Sequence, residues 1–299
     1  MILLLFRAMR PNQWIKNGFV LAALVFSRHL FDPAYVWRSA IAAVIFCVLS
    51  GAIYLINDIF DRENDSRHPI KRNRPIASRR LNVKTAGVVA ALLIAVSLVA
   101  AFRIDTRFGI VCVVYWAQNL AYSSYLKHIV ILDVMIVSAG FLLRAVGGAF
   151  VIDVTISSWF ILCTMLLSLF IGFVKRRHEI KLLESEAGDH RKILDDYNSA
   201  FLDHAIGIVT AGALVTYALY TMSPEVATKL GTKNLNFTVP FVIYGLLRYL
   251  YLAYEKDGGD DPASTVLRDA PILINGCLWL LTLVSVLYFG SADGVIINE

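Results

Sequence analysis

Four oxygen-bearing side chains, Asn57, Asp58, Asp61 and Asp65, fall within the stretch NDIFDREND (57–65). At about 100° per residue, a helix through this stretch brings all four within roughly a quarter turn of one another. Carboxylates on one face at a helix end suit one or two Mg²⁺ ions, because Mg²⁺ binds through few protein carboxylates and takes substrate phosphates and water for the rest. The chemistry this implies is departure of a pyrophosphate, its growing charge neutralised by metal and by arginine or lysine. Asp58, Asp61 and Asp65 are therefore the candidate metal ligands and catalytic residues, with Asn57 orienting the bound group.

Basic segments follow and precede this cluster. SRHPIKRNRPIAS (66–78) sets Lys71, Arg72 and Arg74 between Pro69 and Pro75. The prolines stop a helix and stiffen the loop, while arginine forks and a lysine point charge are the usual phosphate binders. Upstream, MRPNQWIKN reads in two ways. It is either an interfacial anchor, with Trp14 at headgroup depth and Arg10 and Lys16 snorkelling, or an amphipathic helix whose Arg10, Lys16 and Asn17 reach a phosphate. Lys127, in a short turn with Tyr122, Tyr125 and His128, can also reach one. Lys175, Arg176 and Arg177 in VKRRHEIKLLESE read as a stop-transfer cluster or as further phosphate binders. The segment after them, to His204, has Ile193, Leu194, Tyr197 and Phe201 spaced for one face and is expected to be an interfacial helix capping the site.

Ionisable residues also fall inside apolar runs, where they are costly and usually face a polar cavity or one another. Asp133 and Arg144 share a helical face, but about 16 Å of rise separates their backbones, so they are expected to line a cavity without touching. Gly147 and Gly148 follow, for close helix approach. Tyr244, Arg248, Tyr251 and Glu255 form another polar stripe. The loop beyond it holds Asp257, Asp260 and Asp261 but lacks EF-hand spacing and is read as solvated.

The elements that must position these groups are membrane helices. The chain has 299 residues, 58% hydrophobic and 17% charged, with a mean hydropathy of +0.63. That excludes an ordinary soluble domain and predicts an all-α polytopic membrane protein. Runs of about 20 apolar residues are placed near 14–31, 36–57, 84–102, 107–125, 129–150, 157–174, 200–221, 236–254 and 271–290. No barrel-strand alternation competes with these nine spans. Twenty of the 28 lysines and arginines then flank the side holding the N-terminus and the acidic cluster. Six flank the other side. The positive-inside rule puts the N-terminus and the site in the cytoplasm and the C-terminus opposite, in a bacterial inner or plasma membrane. MILLLFRAMRP lacks the order of a cleaved signal. Cys47, Cys112, Cys163 and Cys277 are isolated and read as small core or lipid-facing residues. With no linker or repeat, residues 1–299 are read as one domain. GxxxxGK[ST], HExxH and GxSxG are absent, which leaves P-loop, zincin and serine-hydrolase chemistry without local support.

NDxxDxxxD, matched by Asn57, Asp58, Asp61 and Asp65, together with nine helices and cytoplasmic site loops, resembles the UbiA superfamily of intramembrane prenyltransferases. Within it, RPNQWIKN, NDIFDREND, HPIKRNRPIAS, YLKHIVILDV, FLLRAVGG and FVKRRHEIKLLE resemble the decaprenyl-phosphate phosphoribosyltransferase branch, from Arg10 to about Asp269. The resemblance implies a UbiA-type helical bundle with cytoplasmic cap loops. It also implies Mg²⁺-dependent transfer of 5-phosphoribosyl from phosphoribosyl pyrophosphate to a polyprenyl phosphate. Ordinary prenyltransferases carry a second aspartate-rich motif after span six, where this chain has KRRHE and Glu179 as the only early carboxylate. Base in place of acid suits substrates with extra phosphates. Lys71, Arg72, Arg74, Lys175 and Arg176 are the expected phosphate binders, and Lys16, Asn17, Lys127 and Arg144 the expected groups around the acceptor. Partners are the two substrates and membrane lipid, with no nucleic acid; a homo-oligomer stays open. Two alternatives remain at this point: prenyl transfer from a polyprenyl diphosphate to an aromatic or other small acceptor, and a non-enzymatic lipid-phosphate transporter or binding protein.

Overall fold

The computed structural model describes residues 1–67, 71–185, 197–255 and 262–290, and every regular element among them is helical. In chain order these are α1 (Ile2–Ala8), a 3₁₀-helix (Pro11–Leu21), α2 (Ala22–Phe26), α3 (Pro33–Phe60), α4 (Arg62–Arg67), α5 (Val83–Ile104) and α6 (Thr106–Ser124). Then come α7 (Leu132–Val151), α8 (Ser158–Ser185), α9 (Ser199–Met222), α10 (Pro224–Leu230), α11 (Val239–Glu255), α12 (Pro262–Arg268) and α13 (Ala270–Val284), which runs into a π-helical turn at Ser285–Phe289. Five starts carry an Asp or Asn whose side chain accepts an otherwise orphaned amide: Asp32 from Ala34, Asn82 from Lys84, Asp105 from Phe108, Asn198 from Ala200 and Asp269 from Ile272.

Of the nine expected spans, seven are long and apolar enough to cross a membrane by length and composition. The span expected at 107–125 is α6, a 19-residue helix carrying Gln118, Asn119 and two tyrosines, and is less apolar. The span expected at 14–31 departs further. It is an 11-residue 3₁₀-helix continued by the five-residue α2, although 3₁₀ runs beyond three or four residues are uncommon. The segment packs closely against α7. A Cβ at Gly148 would lie 1.9 Å from the Val20 carbonyl oxygen, so the two backbones touch where only glycine fits. At about 2.0 Å per 3₁₀ residue and 1.5 Å per α residue, the segment rises about 29 Å, close to the hydrocarbon thickness of a bilayer.

α3 is the pivot. It packs against the 3₁₀-helix, α5, α6 and α7, burying Phe46, Leu49 and Leu55. A second core joins α8, α9 and α11 through Phe170, Leu202, Ile206 and Tyr249. The cysteines are all free, with Cys112 buried and Cys277 exposed. The capping helix expected after Lys181 and the acidic loop Asp257, Asp260 and Asp261 lie largely or wholly outside the described residues, as does Pro69.

Candidate functional site

α3 ends at Phe60 and α4 begins at Arg62, yet the helical register continues through the break. The Asp61 amide donates to the Asn57 carbonyl at 2.9 Å, and the Asp65 amide to the Asp61 carbonyl at 2.8 Å. The three aspartates therefore keep one face, and all three are buried. Each meets a cation brought from elsewhere in the chain. Asp58 pairs with Arg10 and, at 3.4 Å, with Arg74; Asp65 pairs with Arg74 at 2.5 Å; Asp61 pairs with Lys127. The Asn57 amide donates to Asp61 at 3.0 Å and accepts from the Ser123 hydroxyl at 3.0 Å. Ser123 is a site neighbour that sequence reasoning missed. A serine at the end of α6 carries no local mark, and its partner is 66 residues away.

Three carboxylates balanced by three basic side chains make this an ion-exchange arrangement. Among the described residues no three His, Cys, Asp or Glu side chains converge as a protein cage for a metal. The donor set instead fits the Mg²⁺ mode in which one or two carboxylates share the ion with substrate phosphates. The same anion would give Arg10, Arg74 and Lys127 new partners. Of the expected loop binders, Arg72 is exposed and Lys71 partly buried, in the 3₁₀ turn that immediately precedes Arg74.

The remaining expected groups divide. Lys16 is half-buried on the 3₁₀-helix and lies within electrostatic reach of Lys175 on α8; Lys175 is also 3.8 Å from Glu179. Arg176 is 5% exposed and enclosed. It bonds Asp133 at 2.6 Å, pairs with Glu179, and donates to the Tyr122 hydroxyl at 3.2 Å. Tyr197 donates to the other Asp133 oxygen at 2.7 Å and accepts the Ile131 amide. Asp133 is 0% exposed, so it does not line a cavity as expected; α7 and α8 are joined through it.

Asn17 and Arg144, expected to approach a phosphate, bond to each other. The Arg144 Nε donates to the Asn17 amide oxygen at 2.7 Å, and its remaining nitrogens donate to the Gly140 carbonyl and the Tyr115 hydroxyl. Asn17 Nδ2 donates to Cys47 and Ser50 of α3. This buried group ties the 3₁₀-helix to α3, α6 and α7, and so fixes the element that carries Arg10 and Lys16. Asp133 and Arg144 share no contact, in keeping with their separation along the helix. Arg248, in the other polar stripe, pairs with Asp269 at 2.9 Å.

The model of the UbiA prenyltransferase family matches residues 18–270. The chain is 38% identical over 298 residues to the decaprenyl-phosphate phosphoribosyltransferase of Mycolicibacterium smegmatis, covering 95% of this chain and 92% of that one. It is 35% identical to the protein of the same name from Corynebacterium glutamicum, over 94% and 86% of the two chains. Among solved structures, a UbiA homolog from Archaeoglobus fulgidus bound to GPP and Mg²⁺ superposes with a TM-score of 0.71 at 14% identity, covering 95% of this chain and 99% of that one.

Proposed function

The chain belongs to the UbiA prenyltransferase family, and from that premise we propose that it transfers 5-phosphoribosyl from phosphoribosyl pyrophosphate to a polyprenyl phosphate, releasing pyrophosphate. The observation that carries this reading is the near full-length similarity to two phosphoribosyltransferases acting on decaprenyl phosphate. The basic KRR at 175–177, where prenyltransferases carry acid, supports it.

Asp58, Asp61 and Asp65 would hold Mg²⁺ with the donor's pyrophosphate, and Asn57, bonded to Ser123, would orient it. Bound there, Mg²⁺ supplies charge neutralisation for the leaving group. Arg10, Arg74 and Lys127 already touch the carboxylates, so a small side-chain swing transfers them to phosphate oxygens. Lys71 and Arg72 extend that basic surface. Lys16 and Lys175, within electrostatic reach of each other, take the phosphate of the acceptor or the 5-phosphate of the donor. Arg176 supports Lys175 by holding α8 to α7, and Arg144 with Asn17 supports Lys16 in the same way.

The acceptor phosphate is an anion at neutral pH, so its oxygen attacks ribose C1 without a general base. The C1–O bond to pyrophosphate breaks as the new one forms, and the pyrophosphate leaves with the electron pair. In-line attack on an α-configured donor gives a β-linked product. The excess of basic residues beside the aspartates puts the N-terminus and the site in the cytoplasm, with nine crossings and the C-terminus opposite.

Purified protein with Mg²⁺, labelled phosphoribosyl pyrophosphate and polyprenyl phosphate is expected to move label into lipid. Consumption of a prenyl diphosphate with no label in lipid would instead support prenyl transfer. An α-linked product in the NMR spectrum would rule out single displacement.

A further inference from the structure

A cavity of about 130 Å³ lies at the end of the bundle opposite the aspartates. It is framed by the end of α2, the α7–α8 loop, α9 and α10. Its walls include Phe26, Val154, Ile156, Phe160 and Val226, and the two charged residues that line it, Arg28 and Lys229, are both basic. Because α3 begins at Pro33 beside this cavity and reaches the aspartates only at its other end, 28 residues on, about 40 Å separates the two places.

The backbone is shaped to hold these cations. Arg28 adopts a positive φ of 63°, and Gly231 faces it with a φ of 65°. A Cβ at Gly231 would sit 2.9 Å from the Arg28 guanidinium, and the positive φ there is what favours glycine. Arg28 donates once, to the Leu230 carbonyl at 3.2 Å, and Lys229 donates to the carbonyl and hydroxyl of Thr155 at 2.8 and 2.9 Å. Of five guanidinium and three ammonium donors, most remain for a ligand. Among the described residues neither cation forms an ion pair. Arg107, at the same end, is by contrast paired with Asp105 and Asp153.

Apolar cavities of roughly 150 Å³ take up hydrocarbon and exclude water, and two uncompensated cations at the rim select an anion. We propose that this cavity binds an anionic phospholipid, with an acyl chain against Phe26, Ile156 and Phe160 and its phosphate between Arg28 and Lys229. The apolar share of the lining favours a lipid over free phosphate. The site is remote from the proposed reaction, and its test reads lipid retention, which does not depend on that reaction.

The experiment is native mass spectrometry of the full-length protein in neutral detergent, titrated with phosphatidylglycerol, phosphatidylcholine of the same chains, or inorganic phosphate. Phosphatidylglycerol is expected to be retained selectively, and retention to weaken roughly five-fold for each basic side chain removed in Arg28→Gln and Lys229→Gln. Ile156→Trp, which fills the cavity and keeps both charges, is expected to reduce it as well. Arg38→Gln, a surface change at the same end, is expected to leave it intact. Equal retention of phosphatidylcholine, full competition by inorganic phosphate, undiminished binding in the double Gln variant, or an equal loss in Arg38→Gln would each overturn the proposal. Should the Trp variant not fold, the two Gln variants still decide.

Discussion

Two buried ionic groups sit near the same end of the bundle and behave differently. Around Asp58, Asp61 and Asp65 the partners Arg10 and Arg74 keep side-chain exposures of 26% and 25%. Around Arg176 and Asp133 the pair is sealed at 6% and 0%, with Tyr122 and Tyr197 filling the remaining bonds. Cations that reach water can leave a carboxylate at little cost, whereas a sealed pair cannot be broken without leaving a charge unmet. In the first group Arg10 and Arg74 are placed for exchange, with Lys127, at 7%, enclosed beside them, and the second group joins helices. Both contain conspicuous charged residues in sequence, so residue type alone does not separate a site from a strut.

The sharpest way to break this contrast is Asp133→Ala. It removes the sealed partner of Arg176, which keeps only the part-exposed Glu179, and is expected to cost about 3 kcal/mol of stability, seen as loss of folded protein in detergent. A well-folded but inactive variant would move Asp133 from strut to site. Asp58→Asn should do the reverse: Arg10 and Arg74 rehydrate and the fold survives, while transfer falls by more than the roughly 10–100-fold typical of a residue one shell away from a metal. Chelation of Mg²⁺ is expected to abolish transfer with the melting temperature unchanged. Arg10→Ala, which removes one exchangeable cation, should raise KM for the donor about ten-fold, equivalent to one charge-assisted hydrogen bond, with folding intact.

The smallest effect is expected at Asp105, in the corner between α5 and α6, remote from both groups. Partial burial pushes its carboxyl up, but hydrogen bonds from Arg107 and from the Phe108 amide, with the charge of Arg107, outweigh burial and hold it below the usual carboxylate value. A group whose folded pKa is depressed contributes stability above its unfolded value of about 3.9 and loses it as pH falls through the folded one. Asp105→Asn should cost about 1 kcal/mol or less. That difference should shrink below pH 4, as followed by thermal melts.

Much of the aspartate face was legible because it is local. Asn57, Asp61 and Asp65 repeat every four residues, and helical periodicity alone aligns them. Apolar length likewise located most spans. What remained hidden depends on partners far along the chain: Arg10 is 48 residues from Asp58, and Asn17 is 127 from Arg144. Asn17 and Arg144 have the residue types of phosphate binders, and only the packing of the 3₁₀-helix against α7 turns them toward each other. Nothing in the hydrophobic pattern of residues 14–31 distinguishes 3₁₀ from α winding or reveals the contact with Gly148.

That winding sets a register. An α-helix would turn Gln13 and Lys16 about 60° apart. With three residues per turn, Gln13 and Lys16 instead eclipse one another about 6 Å apart along the axis, and Arg10, the left-handed cap at φ 53°, starts the winding. Gln13 and Lys16 thus stand in line on one edge of a segment whose cap, Arg10, is held by Asp58. Farther along the same segment, Gly148 of α7 leaves the room that the Val20 carbonyl needs.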